Sequence, residues 1–170
     1  MEAAARHWYL VYSKPRQERL ALENLARQGY EAYLPLMRHR RRRGRRWVPT
    51  IEPMFPRYLF VRLDRLHDNW APIRSTIGVA TLVRFGQEPA RVPDDLVVLF
   101  QAREDEDGIQ RIPPPDFRPG ERVRIVDGPF AGYEAIFQAR TGKERVEILL
   151  RIAGNATRIQ IAPGALEPVA

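Results

Sequence analysis

Seven arginines surround one glycine in RHRRRRGRRWVPT, residues 38–50, and no carboxylate interrupts them. Guanidiniums at this density repel one another, so the stretch is predicted to be an extended, mobile hairpin tip with no core role. Its chemistry is that of a polyphosphate binder. Arg41, Arg42, Arg43, Arg45 and Arg46 would hold a nucleic-acid backbone through contacts that ignore base sequence and weaken in salt. A solubilising loop would have the same composition. A second group is more discriminating: at about 100° per residue, Gln17, Asn24 and Gln28 fall in one narrow arc beside Lys14 and Arg27. Carboxamides can read base edges while Lys and Arg hold phosphates. A solvated helix face has the same pattern, and composition does not separate the two.

Nothing in the chain assembles a reaction centre. Cysteine is absent, and His7, His39 and His67 are scattered, which leaves no disulfide, no thiolate site and no ligand cluster for a metal. TGK at 141–143 lacks the upstream glycine and the following hydroxyl residue of a phosphate loop. Asp94 and Asp95 are adjacent carboxylates at a predicted helix start, where they cap and complement the dipole. The expected molecule is a binding protein without a cofactor, not an enzyme. No apolar run approaches the ~18 residues of a membrane span, and the N-terminus lacks a signal peptide's apolar core. A cytoplasmic monomer with no membrane partner is expected.

The elements that must position these residues follow from pattern. HWYLVY (7–12) is aromatic and β-branched and opens the fold as a strand. Ser13 is predicted to cap a helix with Pro15 in its first turn, stopped by Gly29. Strands follow at 30–37, 57–63 and 79–86, with a loose helix between the last two, and a final helix over 92–103 with Asp94 as its cap. This order predicts an α+β sandwich with an antiparallel-dominated sheet over residues 1–103. Net charge supports the division of the chain: +9 over 1–103, −4 over 104–121 and +2 over 122–170. The acidic, Pro-rich stretch 104–119 is predicted to be a linker, and 120–170 a small separate module.

EPMFPRYLFVRLD (52–64), with WYLVYSKPRQE (8–18), STIGVATLVRFG (75–86) and VPDDLV (92–97), resembles the N-terminal domain of the NusG family of transcription elongation factors. GERVRIVDGPFAGYEAIF (120–137) resembles that family's KOW module, and VRFG with AIF points to the specialised RfaH-like paralogues. The resemblance implies an elongation and antitermination factor that grips the β′ clamp helices of bacterial RNA polymerase through Tyr58, Phe60, Phe85, Val97 and Phe100. It also implies contact of the Lys14, Gln17, Asn24, Arg27 and Gln28 face with the displaced non-template DNA strand at a DNA element, although Asn24 stands where a His is usual. NWAP (69–72) departs from the segment that touches the polymerase β gate loop, which weakens that contact. A KOW module implies a ribosomal small-subunit protein or a termination factor as a further partner. The rival reading is a KOW-containing ribosomal or rRNA-binding protein.

The C-terminal module has two readings. RVRIV (122–126), EAIFQA (134–139), RVEILLRI (145–152) and ATRIQIAP (156–163) are strand-sized and separated by glycine-containing turns. Pro129 would cost ~3 kcal/mol inside a helix and each of Gly128, Gly132 and Gly154 up to ~1 kcal/mol, so local chemistry favours a small β-barrel. KERVEILLRIAG (143–154) is also a credible helix, and a helical hairpin docked on the first domain is the other state implied by the RfaH resemblance. That resemblance further implies a domain contact through Glu52 and Arg145, with Ile125 and Phe137 taking part.

Overall fold

The computed structural model describes residues 6–111 and 133–161. Along the chain lie β1 (His7–Ser13), α1 (Glu18–Arg27), β2 (Glu31–Tyr33), β3 (Leu36–Arg43), β4 (Arg46–Pro53) and β5 (Tyr58–Leu63). A 3₁₀ turn at Ala71–Ser75 leads into β6 (Val79–Leu82), β7 (Arg84–Phe85), β8 (Glu88–Pro89), β9 (Arg91–Val92) and α2 (Asp94–Ala102), and the C-terminal part supplies α3 (Tyr133–Gln138) and α4 (Gly142–Ile161).

The strand β1 is apolar on both sides because both of its faces are covered. It lies antiparallel to β5, with Leu10 opposite Phe60, and on its other side pairs with β6 and β9. The strand β2 extends the sheet beyond β5. On one face, Tyr9, Val11, Leu59, Val61 and Val79 pack under Ala21 and Leu25 of α1. Gly78 makes this approach possible: its φ is +93°, and a Cβ there would lie 2.7 Å from the Ala21 backbone nitrogen. On the other face, Trp8, Leu10, Phe60 and Val92 pack under Leu96, Val97 and Phe100 of α2 and under Tyr133, Ile136, Leu149 and Ala153 of α3 and α4.

Several expectations are corrected. The helix α1 begins at Glu18; Ser13 is buried at the end of β1 and its hydroxyl donates to the Lys14 carbonyl. Asp94 is the first residue of α2, not its cap; its carboxylate accepts the Trp8 N–H and meets His7 at 2.8 Å. The stretch 79–86 is two strands in different sheets, broken at Val83. The arginine run is a regular ladder, paired without interruption from Leu36 opposite Pro53 to Arg43 opposite Arg46, and Gly44 at φ +64° opens its two-residue turn. Carboxylates answer the repulsion that argued against order: Glu52 holds Arg41, and Asp105 and Asp107 hold Arg38.

Those two aspartates belong to the segment expected to be linker. Residues 104–111 instead fold back on the first domain, with Ile109 and Gln110 buried and Gln110 bridging to Met37. The remainder of the linker, 112–119, together with RVRIV, Ile125 and Pro129, lies outside the described residues.

Residues 133–138 and 142–161 are helical where the barrel reading expected strands, in the form of the alternative helical reading. The start of α4 is chemically specified. Thr141 accepts the Glu144 N–H at 3.1 Å and donates its hydroxyl to the Glu144 carboxylate at 3.0 Å, so Thr141 is a side-chain N-cap with the T-x-x-E spacing. Gly154 is absorbed mid-helix, where a Cβ would sit 3.8 Å from the Phe85 ring. Burial of Leu149 and Ala153 against the first domain outweighs the local preference, as tertiary packing does for most helices.

Candidate interaction surface

The sheet's second face carries a chain of aromatic rings. Phe55 and Phe100 stand 5.6 Å apart, Phe60 lies 6.1 Å from each, and Phe137 of α3 meets Phe100 edge-on at 5.9 Å. Of the five residues singled out for polymerase contact, Phe60, Val97 and Phe100 are fully buried and Tyr58 and Phe85 half-buried, all in the one cluster that α3 and α4 complete. The structure therefore brings these five together, but beneath the C-terminal helices.

Polar contacts tie the cover down. The Tyr133 hydroxyl donates to Asp95 at 2.9 Å, and burial together with this carboxylate pushes its pKa up. Arg145 donates through Nε to the Met54 carbonyl at 2.8 Å and through a terminal nitrogen to the Ala139 carbonyl at 3.2 Å. The Arg91 N–H donates to the Thr157 hydroxyl at 2.8 Å. The Arg103 guanidinium lies 4.2 Å from the centre of the Phe137 ring. Burial lowers the pKa of both Arg145 and Arg103, and Arg103 Nε has no hydrogen-bond partner among the described residues.

The expected Glu52–Arg145 pair is not formed. Glu52 takes two hydrogen bonds from Arg41, at 2.7 and 2.6 Å, and one from Thr50 at 2.7 Å. These hold its carboxyl at about 2, Arg41 contributing most. Arg145 does cross between the domains, but to a backbone carbonyl. Asp95 was read only as a helix-start carboxylate, and Arg91, Arg103 and Thr157 were not singled out in the sequence. The spacing of Leu149, Ala153 and Thr157, one turn apart on one helical stripe, is a signal that could have marked a buried face.

The polar arc lies on the opposite side of the sheet. Lys14, Arg27 and Gln28 are exposed and Gln17 and Asn24 half-buried, with Gln17 and Gln28 flanking α1 rather than within it. Two of the amides are already engaged. Asn24 donates to the Leu20 carbonyl, and Gln28 donates to the Thr76 hydroxyl at 2.6 Å on the wall of an open cleft of about 350 Å³. Among the described residues no three His, Cys, Asp or Glu side chains are grouped to hold a metal, and no helix is long and apolar enough to cross a membrane.

Over residues 6–101 the chain matches the profile of NusG, "Transcription termination factor nusG". The transcription termination/antitermination protein NusG of Pseudomonas aeruginosa is 23% identical over 97% of this chain and 99% of that protein. Its counterpart in Escherichia coli K12 is 26% identical over 94% of each. A solved structure, "Domain interaction in Thermotoga maritima NusG", is 24% identical over 54% of this chain and 53% of that one, at a TM-score of 0.38 that bears no architectural weight. The profile covers more than half of the sequence, its span coincides with the sheet and its two flanking helices, and the chain belongs to the NusG family.

Proposed function

We propose that this non-enzymatic NusG-family protein is an RfaH-like elongation and antitermination factor whose polymerase-binding surface is covered by its own C-terminal helices. The surface is the cluster of Tyr58, Phe60, Phe85, Val97 and Phe100, and its occupant in the working complex is the pair of β′ clamp helices of RNA polymerase. The observation that carries the reading is the nature of the cover. An apolar depression filled by α3 and α4 fits an apolar helix face, and a helical partner can take the same place. Lys14, Gln17, Asn24, Arg27 and Gln28 would then meet the non-template DNA strand. Once released, 120–170 would take the KOW barrel that its strand-sized segments favour, and offer a sheet edge to a ribosomal small-subunit protein or a termination factor. The site of action is the cytoplasm, where the polymerase is.

Ile136→Asp with Leu149→Asp in the full chain places two carboxylates in the dry interface. Affinity for core RNA polymerase is expected to rise at least tenfold while the 222-nm helical signal falls. Unchanged affinity with the helices lost would reject masking. No binding by either protein would reject the polymerase surface itself.

A further inference from the structure

The register of the β3–β4 hairpin divides its arginines in a way composition does not. Directly opposed residues point to the same side, so Arg38, Arg40 and Arg42 share a face with Trp47, Pro49 and Ile51, while Arg41 and Arg43 share the other with Arg46 and Glu52. Carboxylates neutralise the base of the ribbon at Arg38 and Arg41. Towards the tip, Arg40, Arg42, Arg43, Arg45 and Arg46 are exposed, and none has an ion-pair partner among the described residues. Arg43 stands opposite Arg46, a like-charge pair that destabilises the ladder unless an anion bridges it.

Into this bare cationic tip the sequence sets an indole. Trp47 is 57% exposed, and the Arg42 guanidinium, fixed by its bond to the Gly44 carbonyl, lies 5.9 Å from the ring centre. An exposed ring beside unpaired guanidiniums is a platform for a base whose own face is free, with cations for the phosphates on either side. A duplex would satisfy the arginines but leaves no base face for the ring.

We propose that the hairpin tip binds single-stranded nucleic acid, Trp47 stacking on an unpaired base while Arg40 and Arg42 on the same face hold the flanking phosphates. The strand rise sets these arginines about 7 Å apart, a spacing that an unstacked strand can follow. The site is separate from the covered aromatic surface, and its test contains no polymerase, so neither proposal falls with the other.

The full chain is titrated with a twelve-residue oligo(dT), with a DNA duplex and with poly-glutamate, following tryptophan emission. Oligo(dT) is expected to quench the wild type; Trp8 is buried and Trp70 half-buried, which leaves Trp47 as the responsive ring. Trp47→Phe should abolish the quench but keep affinity within about threefold, because a phenyl ring still stacks. Trp47→Ala should weaken oligo(dT) binding roughly 5- to 150-fold, the equivalent of one lost base stack, and leave duplex binding unchanged. Arg40→Ala and Arg42→Ala should each lower the salt slope by about 0.7, whereas Arg43→Ala on the opposite face should leave the quench intact. Equal losses for strand and duplex in Trp47→Ala, or none for either, would overturn the proposal. So would poly-glutamate competing as well as oligo(dT), which would assign the tip to an acidic protein instead.

Discussion

The two faces of the central sheet are buried to similar depth but covered by different means. Over the first, α1 follows β1 directly in the chain and settles on it through Ala21, Leu25 and the close approach at Gly78. Over the second, α2 is joined by helices that arrive from residues 133–161, tied by Arg145 to Met54, Tyr133 to Asp95 and Thr157 to Arg91. The apolar residues of the first cover are patterned for a helix in the sequence as they are in the fold. The second is made from sequence whose local preferences also suit strands, and under the proposed function it is the cover that exchanges; equal burial would then not mean equal permanence.

Truncating one leucine under each cover separates them most sharply. Leu25 and Leu149 are both fully buried, and each Leu→Ala change removes about 2–5 kcal/mol. Leu25→Ala is expected to lower protection from hydrogen exchange across β1, β5 and α1 together. Leu149→Ala should raise exchange in residues 133–161 and leave β1 and β5 protected. A loss of protection in β1 after Leu149→Ala would mean that the sheet and both covers unfold as one unit.

Gly142 offers a gentler way to lift the second cover. A Cβ at this position would lie 2.6 Å from Pro56 Cγ, at the point where α4 begins against the first domain. Gly142→Val is expected to cost the docked state about 1–3 kcal/mol through overpacking, read as helical signal lost well below the melting of the sheet. The corresponding crowding at Gly78, against backbone rather than a proline ring, should instead lower the melting temperature of the whole first domain.

Legibility in the sequence followed the same division. The strands β1 and β5, the helix α2 and the stop at Gly29 were readable because local pattern and final burial agree. Phe60, Val97, Phe100 and Phe137 were named through the family resemblance rather than by pattern, and they share one apolar cluster in the fold. What failed were features fixed by distant partners. The arginine ladder is held by Glu52 from its own second strand and by Asp105 and Asp107 from a stretch that composition marks as linker. The helices of 133–161 are held by partners 38 to 91 residues upstream, although the T-x-x-E cap at Thr141 was there to be read. Glu52 and Arg145 were matched by family pattern, but the carboxylate found a nearer guanidinium on the facing strand.

That mispairing gives a contrast of intermediate size. Arg145→Met keeps the length of the side chain but strands the Met54 carbonyl, a buried acceptor, at about 1–3 kcal/mol. The cost should fall on docking alone, raising exchange in α3 and α4. Glu52→Gln, by contrast, should loosen the ladder around Arg41 and leave the cover in position. If both variants release α3 and α4 alike, the two residues act as one lock despite their separate partners.

The smallest effect is a titration. Arg41, followed by Thr50, holds the Glu52 carboxyl at about 2, against 4.5 for an unperturbed glutamate. A carboxyl depressed in the folded state stabilises fully above its unfolded value and loses that contribution as pH falls through its folded value. The Arg41–Glu52 pair should therefore support the ladder undiminished above about pH 4.5 and lose its contribution progressively towards pH 2. The side-chain carboxyl resonance of Glu52 reads this directly. Arg41→Met is expected to return it towards 4.5, while Arg145→Met should leave it nearly where it stands, because the hydrogen bonds that depress it come from its own hairpin. Amide exchange in 133–161 should follow this titration only weakly, since the bonds that hold the cover down involve Met54, Asp95 and Arg91, and Glu52 reaches Arg145 through its charge without a hydrogen bond. Helices that loosened in step with Glu52 would join the cationic hairpin to the cover, and the hairpin would then belong with the exchangeable face of the sheet instead of standing apart from both.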